Sequence, residues 1–205
     1  MKNSFIKLDP GFLLCFACVI LLVPLKIMAA WVLAVTIHEL SHMVALKLCR
    51  LKIISIRLRI SGVLMDTEPM GYLTELVCAI AGPLGGLSLL FAARWLPCTA
   101  VFACVHSVYN LLPIFPLDGG RALRCVLIKL YGIGVGGRLS AVISAIAICL
   151  ILLSVIYFSW MLHIPALAFC FVGIMLVQGY CRKIPCKPSQ QIVQYDKQRS
   201  LERCS

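Results

Sequence analysis

The chain holds four histidines and four glutamates in 205 residues, and three of these eight fall in one run, His38-Glu39-Leu40-Ser41-His42. On a helix, positions i and i+4 lie about 40° apart around the axis and about 6 Å apart along it. Both imidazoles can therefore reach one zinc ion, with Glu39 beside the metal's open position. A carboxylate placed there can take a proton from a water and later pass it to a leaving amine. Shuffling this composition yields only about 0.0015 such matches per chain. The bland alternative, two core histidines held by hydrogen bonds, must also accommodate a carboxylate in the same apolar turn, which is costly.

Catalytic zinc takes three protein ligands plus water, so a third must come from elsewhere. The remaining histidines are His106 and His163, and His163 falls in the short outer loop. A carboxylate is the alternative. Asp9, Asp66, Glu68, Asp196 and Glu202 lie outside the apolar runs, and Glu75 opens a helix, where its charge suits the dipole. Asp118 remains, in the segment Asn110-Leu111-Leu112-Pro113-Ile114-Phe115-Pro116-Leu117-Asp118-Gly119-Gly120. Two prolines and a glycine pair break a helix there, free backbone groups and let Asp118 turn inward.

The elements that carry these residues are those of a membrane protein. Apolar residues make up 61% of the chain and charged ones 13%, with a mean hydropathy of +0.99. A soluble domain carries about 25% charged residues. The composition excludes a disordered protein, a soluble enzyme and a nucleic-acid-binding domain. Six apolar stretches are long enough to span a bilayer, approximately 10–28, 29–48, 71–94, 98–117, 139–160 and 163–181. Pro24 and Lys26 mark the expected bend between the first two. The first resembles a signal peptide in part, but no small-residue cleavage site follows, and it is read as retained.

With both termini in the cytoplasm, 17 of the 19 lysines and arginines fall on that side, leaving only Lys26 and Arg94 outside. The net charge of +11 then reports orientation and needs no polyanionic partner. His42 and Asp118 both come out toward the cytoplasmic leaflet.

Between the second and third spans the pattern changes. Ile54, Ile56, Leu58 and Ile60 alternate with Ser55, Arg57, Arg59 and Ser61, which predicts a strand, with Ser61-Gly62 as a turn and Val63–Met65 returning. One reading lays this hairpin at the headgroups with its arginines snorkelling. The other pairs its free edge, along 54–60, with a substrate backbone. The first is preferred, and Arg57, Arg59 and Gly62 stand with Asn110 as candidates for holding substrate or supporting backbone. Residues 121–131 read as a short interfacial helix. The twelve cysteines are scattered and read as core filler, Cys15 and Cys18 included. The expectation is an all-α polytopic membrane protein of about six transmembrane helices with a small membrane-associated β-hairpin. Residues 1–181 form one intramembrane domain, and 182–205 a basic cytoplasmic tail.

The histidine pair with its glutamate and the Asn110–Gly120 segment resemble the site-2 protease family of intramembrane zinc metalloproteases. Ala81-Gly82-Pro83 looks like the small-residue motif that this family carries between them. The resemblance covers roughly Trp31 to Arg121. It implies one Zn2+ per chain held by His38, His42 and Asp118, with Glu39 as catalytic base. It also implies cleavage of a membrane or membrane-associated protein and release of a product to the cytosol. A helical substrate must unwind first, because its scissile carbonyl is tied up in intrachain hydrogen bonds. The family's asparagine matches Asn110; His106 inherits no role. The short N-terminal lead and the span layout look most like the branch containing the sporulation stage IV protease, which processes a sigma-factor precursor in the bacterial cell membrane. The PDZ and cystathionine-β-synthase domains of other branches have no counterpart here. An inhibitory membrane partner is a further expectation; nucleic acid is not. Two other classes compete. A zinc-stabilised scaffold or chaperone would share the ligands without needing Glu39. A metal transporter would stack polar residues through the membrane, yet the last two spans carry no charge.

Overall fold

The computed structural model describes residues 6–8, 13, 20–21, 23–59 and 62–162. The expected spans 10–28 and 163–181, the tail 182–205, and His163 lie largely or wholly outside them. Eight elements follow in order: β1 (Ile6–Leu8), α1 (Leu25–Leu48), β2 (Ile53–Arg59), β3 (Gly62–Thr67), α2 (Tyr72–Ser88), a 3-10 turn (Leu89–Ala92), α3 (Pro97–Asn110) and α4 (Asp118–Leu162).

Three helical segments among the described residues are long and apolar enough to cross a membrane: Leu25–Leu48, Tyr72–Ala92 and Asp118–Ser154. Their outward residues are large and apolar, as in Trp31, Leu40 and Val44 on α1 and Val142, Ile146 and Leu150 on α4. Lipid can cover such a surface; water cannot do so cheaply. The chain is an integral membrane protein.

α1 begins four residues earlier than its expected span, directly after Pro24. Lys26 is therefore helical and does not lie in a bend. A proline just ahead of the first turn gives up only an N–H that a helix start leaves unpaired anyway. At the other end the Leu51 N–H reaches Leu46 O and the Arg50 N–H reaches Lys47 O, both at 3.0 Å. This is a Schellman cap, with Arg50 at φ 57° in the place usually held by glycine. The cap turns the chain sharply into β2.

The expected hairpin proves to be part of a three-stranded sheet, in the order β1-β2-β3. β2 pairs antiparallel with β3, Arg57 opposite Leu64 and Arg59 opposite Gly62. It also pairs parallel with β1, Lys7 opposite Arg57. Segment 54–60 therefore offers no free edge, which corrects the reading in which a substrate pairs along it. β2 is the central strand, and the N-terminal segment takes the position that the hairpin alone would leave open. Ile53 and Met65 pack against Ala45, Leu46, Met70 and Cys78, a small core that pins the sheet to the end of α1 and the start of α2.

The expected span 98–117 divides. α3 has 14 residues, about 21 Å of helix, less than the ~30 Å of hydrocarbon. Irregular chain then runs to Asp118, where α4 starts. α4 absorbs both the expected interfacial helix 121–131 and the span 139–160, and is broken at Gly132 (φ 77°, ψ 169°). That conformation is essentially restricted to glycine. Beyond the break the chain folds back. Gly136 lies against the backbone of Leu127 and Ile128, and the Ser144 hydroxyl meets the backbone of Pro113 and Phe115.

Candidate metal centre

α1 presents His38 and His42 to the interior on successive turns. His38 is 1% exposed, and the side chains of His42 and Asp118 are 12% and 11% exposed. Small residues on α2 allow the approach. A Cβ on Gly82 would strike the His42 ring, one on Gly85 would strike the Ser41 side chain, and one on Gly86 would collide with Ser107 and touch His38 Nδ1. Gly82 is thus the part of the Ala81-Gly82-Pro83 motif that meets a candidate ligand.

Asp118 arrives from a different direction. Gly119 and Gly120 press against the backbones of Leu111–Leu112 and Ile114–Phe115, where a Cβ would overlap carbonyl groups. Ile114 is fully buried beneath this turn. Ser144 ties the loop from behind: its hydroxyl accepts from the Phe115 N–H at 3.2 Å and lies within donating distance of Pro113 O and Ser140 O, at 3.1 and 2.9 Å. The broken segment is thereby held in one shape, with Asp118 on the first turn of a helix.

The three side chains converge. His38 Nε2 and His42 Nε2 each lie 3.1 Å from Asp118 Oδ2, and 3.2 Å from one another. The His42 Nδ1–H donates to Cys78 O at 2.7 Å. A carbonyl can only accept, so in the neutral ring Nε2 is left with its lone pair. At most one proton, on His38 Nε2, is then available among three facing acceptors, and the contact between His42 and Asp118 stays uncompensated. A cation satisfies all three. Zinc bonds of about 2.0–2.1 Å meeting at tetrahedral angles set neighbouring donors roughly 3.3 Å apart, close to this triangle. The donor set of two imidazoles and one carboxylate is also zinc's. Among the described residues this is the group that can hold a metal ion.

The other candidates are placed as follows. Glu39 follows His38 directly, half-buried, with His38, His42, Asp118 and Arg121 as its charged neighbours. His106 packs edge-on against His38, ring centroids 4.7 Å apart, and stands outside the triad. The Asn110 amide nitrogen is turned back to His106, 3.0 Å from its carbonyl and 3.1 Å from its Nε2. Arg57, Arg59 and Gly62 belong to the sheet, in β2 and β3.

Several residues around the triad were not singled out from sequence. The Cys78 carbonyl carries no side-chain signature and is invisible there. Ser144 lies 26 residues from Asp118 along the chain, so its contact with the loop has no local signal. In the sequence Arg121 is one of the basic residues of the cytoplasmic side and Glu75 is explained by a helix dipole. The spacing of Arg121 from Asp118, i to i+3 on a helix start, was the available clue.

No protein-family model matches the chain. The curated zinc metalloprotease MJ0392 of Methanocaldococcus jannaschii is 36% identical over 115 residues, a match covering 48% of this chain and 33% of that protein. The chain thus spans about a third of that relative's length. Among solved structures, the site-2 protease from Methanocaldococcus jannaschii aligns over 89% of this chain and 93% of its own, with a TM-score of 0.61 and 27% identity. The chain is similar in sequence to a zinc metalloprotease and in fold to a site-2 protease. Its three buried donors, brought together from α1 and α4, are those that the family resemblance implies.

Proposed function

We propose that this site-2 protease homologue is an intramembrane zinc metalloprotease that hydrolyses a peptide bond within or next to the membrane. The observation that carries the reading is the convergence of His38, His42 and Asp118 within 3.2 Å of one another, beside Glu39. When bound, zinc would polarise the scissile carbonyl and acidify the attacking water. His38, His42 and Asp118 would hold it. Glu39 takes the proton from that water and delivers it to the amine nitrogen as the C–N bond breaks. The half-buried position of Glu39 suits this, since a base there is shielded from bulk water yet reachable by a bound peptide. Asn110, already tied to the end of α3, supports the backbone where the helix stops. A substrate strand would add at an outer strand of the sheet, because β2 has both edges paired.

Six spans, cytoplasmic termini, a bacterial cell membrane and a basic tail at 182–205 belong to the same proposal, supported by the apolar runs and the bias of 17 of 19 basic residues to one side. The substrate is a membrane-associated regulatory protein of the kind that a sigma-factor precursor or an anchored regulator represents, acting with an inhibitory membrane partner.

The test compares membrane and cytosolic proteomes of cells carrying wild type or Glu39→Gln, together with zinc content of the purified proteins. The variant should keep its zinc, accumulate uncut substrate in the membrane and lose the cytosolic product. Equal cleavage by both proteins would defeat the mechanism. A scaffold would bind its partner unchanged in the variant, and a transporter would move zinc into liposomes.

A further inference from the structure

Asp118 offers Oδ2 to both imidazoles, and its other oxygen is not idle. Arg121 Nη1 lies 3.8 Å from Asp118 Oδ1, and Arg121 Nε lies 3.6 Å from Glu75 Oε1 on the first turn of α2. We infer that Arg121, anchored by Glu75, is a positioning residue that holds Asp118 as a one-oxygen ligand.

Three observations carry this. First, an arginine in the first turn of a helix opposes the helix dipole, so its place there calls for specific carboxylate partners. Second, the partners are sheltered: the side chains of Glu75 and Asp118 are 19% and 11% exposed against 33% for Arg121. Such a pair is screened far less than one at the surface. Third, the geometry suits an arginine: its planar fork reaches the carboxylates of Glu75 and Asp118 at once, which an ammonium cannot do.

The inference rests on the zinc reading, and the test separates the two. Purified wild type, Arg121→Gln, Arg121→Lys, Glu75→Gln and the double variant Arg121→Gln/Glu75→Gln are titrated with a chelator against zinc, then loaded with cobalt(II), whose visible bands weaken as coordination number rises. Arg121→Gln should lower zinc affinity roughly 10–100-fold, the usual effect of losing an outer partner of a ligand. Its cobalt bands should weaken as Asp118 becomes free to bind through both oxygens. Arg121→Lys should recover affinity in part without recovering the spectrum, and it decides the matter if Arg121→Gln does not elute from detergent gel filtration like wild type. Glu75→Gln should have a smaller effect that vanishes in the Arg121→Gln background, since Glu75 acts through Arg121. Wild-type affinity and spectrum in Arg121→Gln, or additive losses in the double variant, overturn the inference. Failure of wild type to bind either metal overturns the zinc reading itself.

Discussion

His38 and His42 stand on an unbroken helix of 24 residues, and their spacing alone aligns them. Asp118 stands eight residues past the end of α3, at the start of another helix. For the histidines, regular backbone does the placing, and the neighbouring helix has only to be thin enough, which Gly82, Gly85 and Gly86 accomplish. For the aspartate no periodicity is available. Its position depends on a sequence of individual contacts: two glycines against carbonyls, a serine hydroxyl on the loop, and a guanidinium on the spare oxygen. A ligand on a regular helix is disturbed through side chains, whereas one after a chain break is disturbed through backbone.

The sharpest way to break this contrast is a pair of methyl groups. In Gly120→Ala the new Cβ meets the carbonyl of Ile114 and the nitrogen of Phe115, both backbone atoms that cannot swing away. The expected cost lies at the upper end of overpacking, about 3 kcal/mol, with loss of bound zinc. In Gly82→Ala the obstacle is the His42 ring, a side chain. The ring can shift, but only by straining its 2.7 Å bond to Cys78. Thermal unfolding in detergent should rank Gly120→Ala well below Gly82→Ala in stability. Zinc retention should fall in both. Equal stabilities would mean that the break before Asp118 is no more rigid than the helix interface.

Ser144→Ala tests the same contrast more gently. It deletes the acceptor of the Phe115 N–H and the bond to Pro113 in the loop while leaving α1 and α2 untouched. A buried group left unpaired costs about 1–3 kcal/mol. Zinc affinity should drop through Asp118 alone. An added Ser144→Ala should then have no effect on residual metal binding by Asp118→Ala but a full effect in His42→Ala. Identical responses in the two backgrounds would show that the loop does not act through the aspartate.

The same contrast explains what could be read from the sequence. The histidine pair and its glutamate were legible because helical periodicity converts spacing directly into geometry. Asp118 was reached by eliminating acids and from the prolines and glycines around it, which announce a break without saying what holds it. Arg121 and Glu75 each have an adequate local explanation, among the basic residues of the cytoplasmic side and at a helix start, and only the packing of α2 against α4 reveals that they meet. The sheet was half legible. Alternation at 54–60 identified β2, but the parallel partner Ile6–Leu8 is separated from it by α1, and such a distant pairing leaves no local trace. The expected spans 29–48 and 71–94 meet apolar helices long enough to cross a membrane, whereas 98–117 divides, because hydropathy stays high there although the helix stops.

The smallest predicted effect concerns Arg50, far from the aspartate's contacts. At φ 57° it occupies a conformation that costs a side-chain-bearing residue about 1–2 kcal/mol, and glycine escapes most of this. Glycine also loses more backbone entropy on folding, by about 0.5–1 kcal/mol, so the net gain for Arg50→Gly is about 0.5–1 kcal/mol. The substitution keeps both backbone bonds of the cap, from Leu51 to Leu46 and from Arg50 to Lys47, because neither uses the side chain. It lies eight residues beyond His42 on a helix whose interior already aligns the ligands. Thermal stability should therefore rise slightly while zinc affinity stays at the wild-type value. A change in zinc affinity would mean that the helix end, and not its periodicity, sets the histidines, and the contrast with Asp118 would lose its basis.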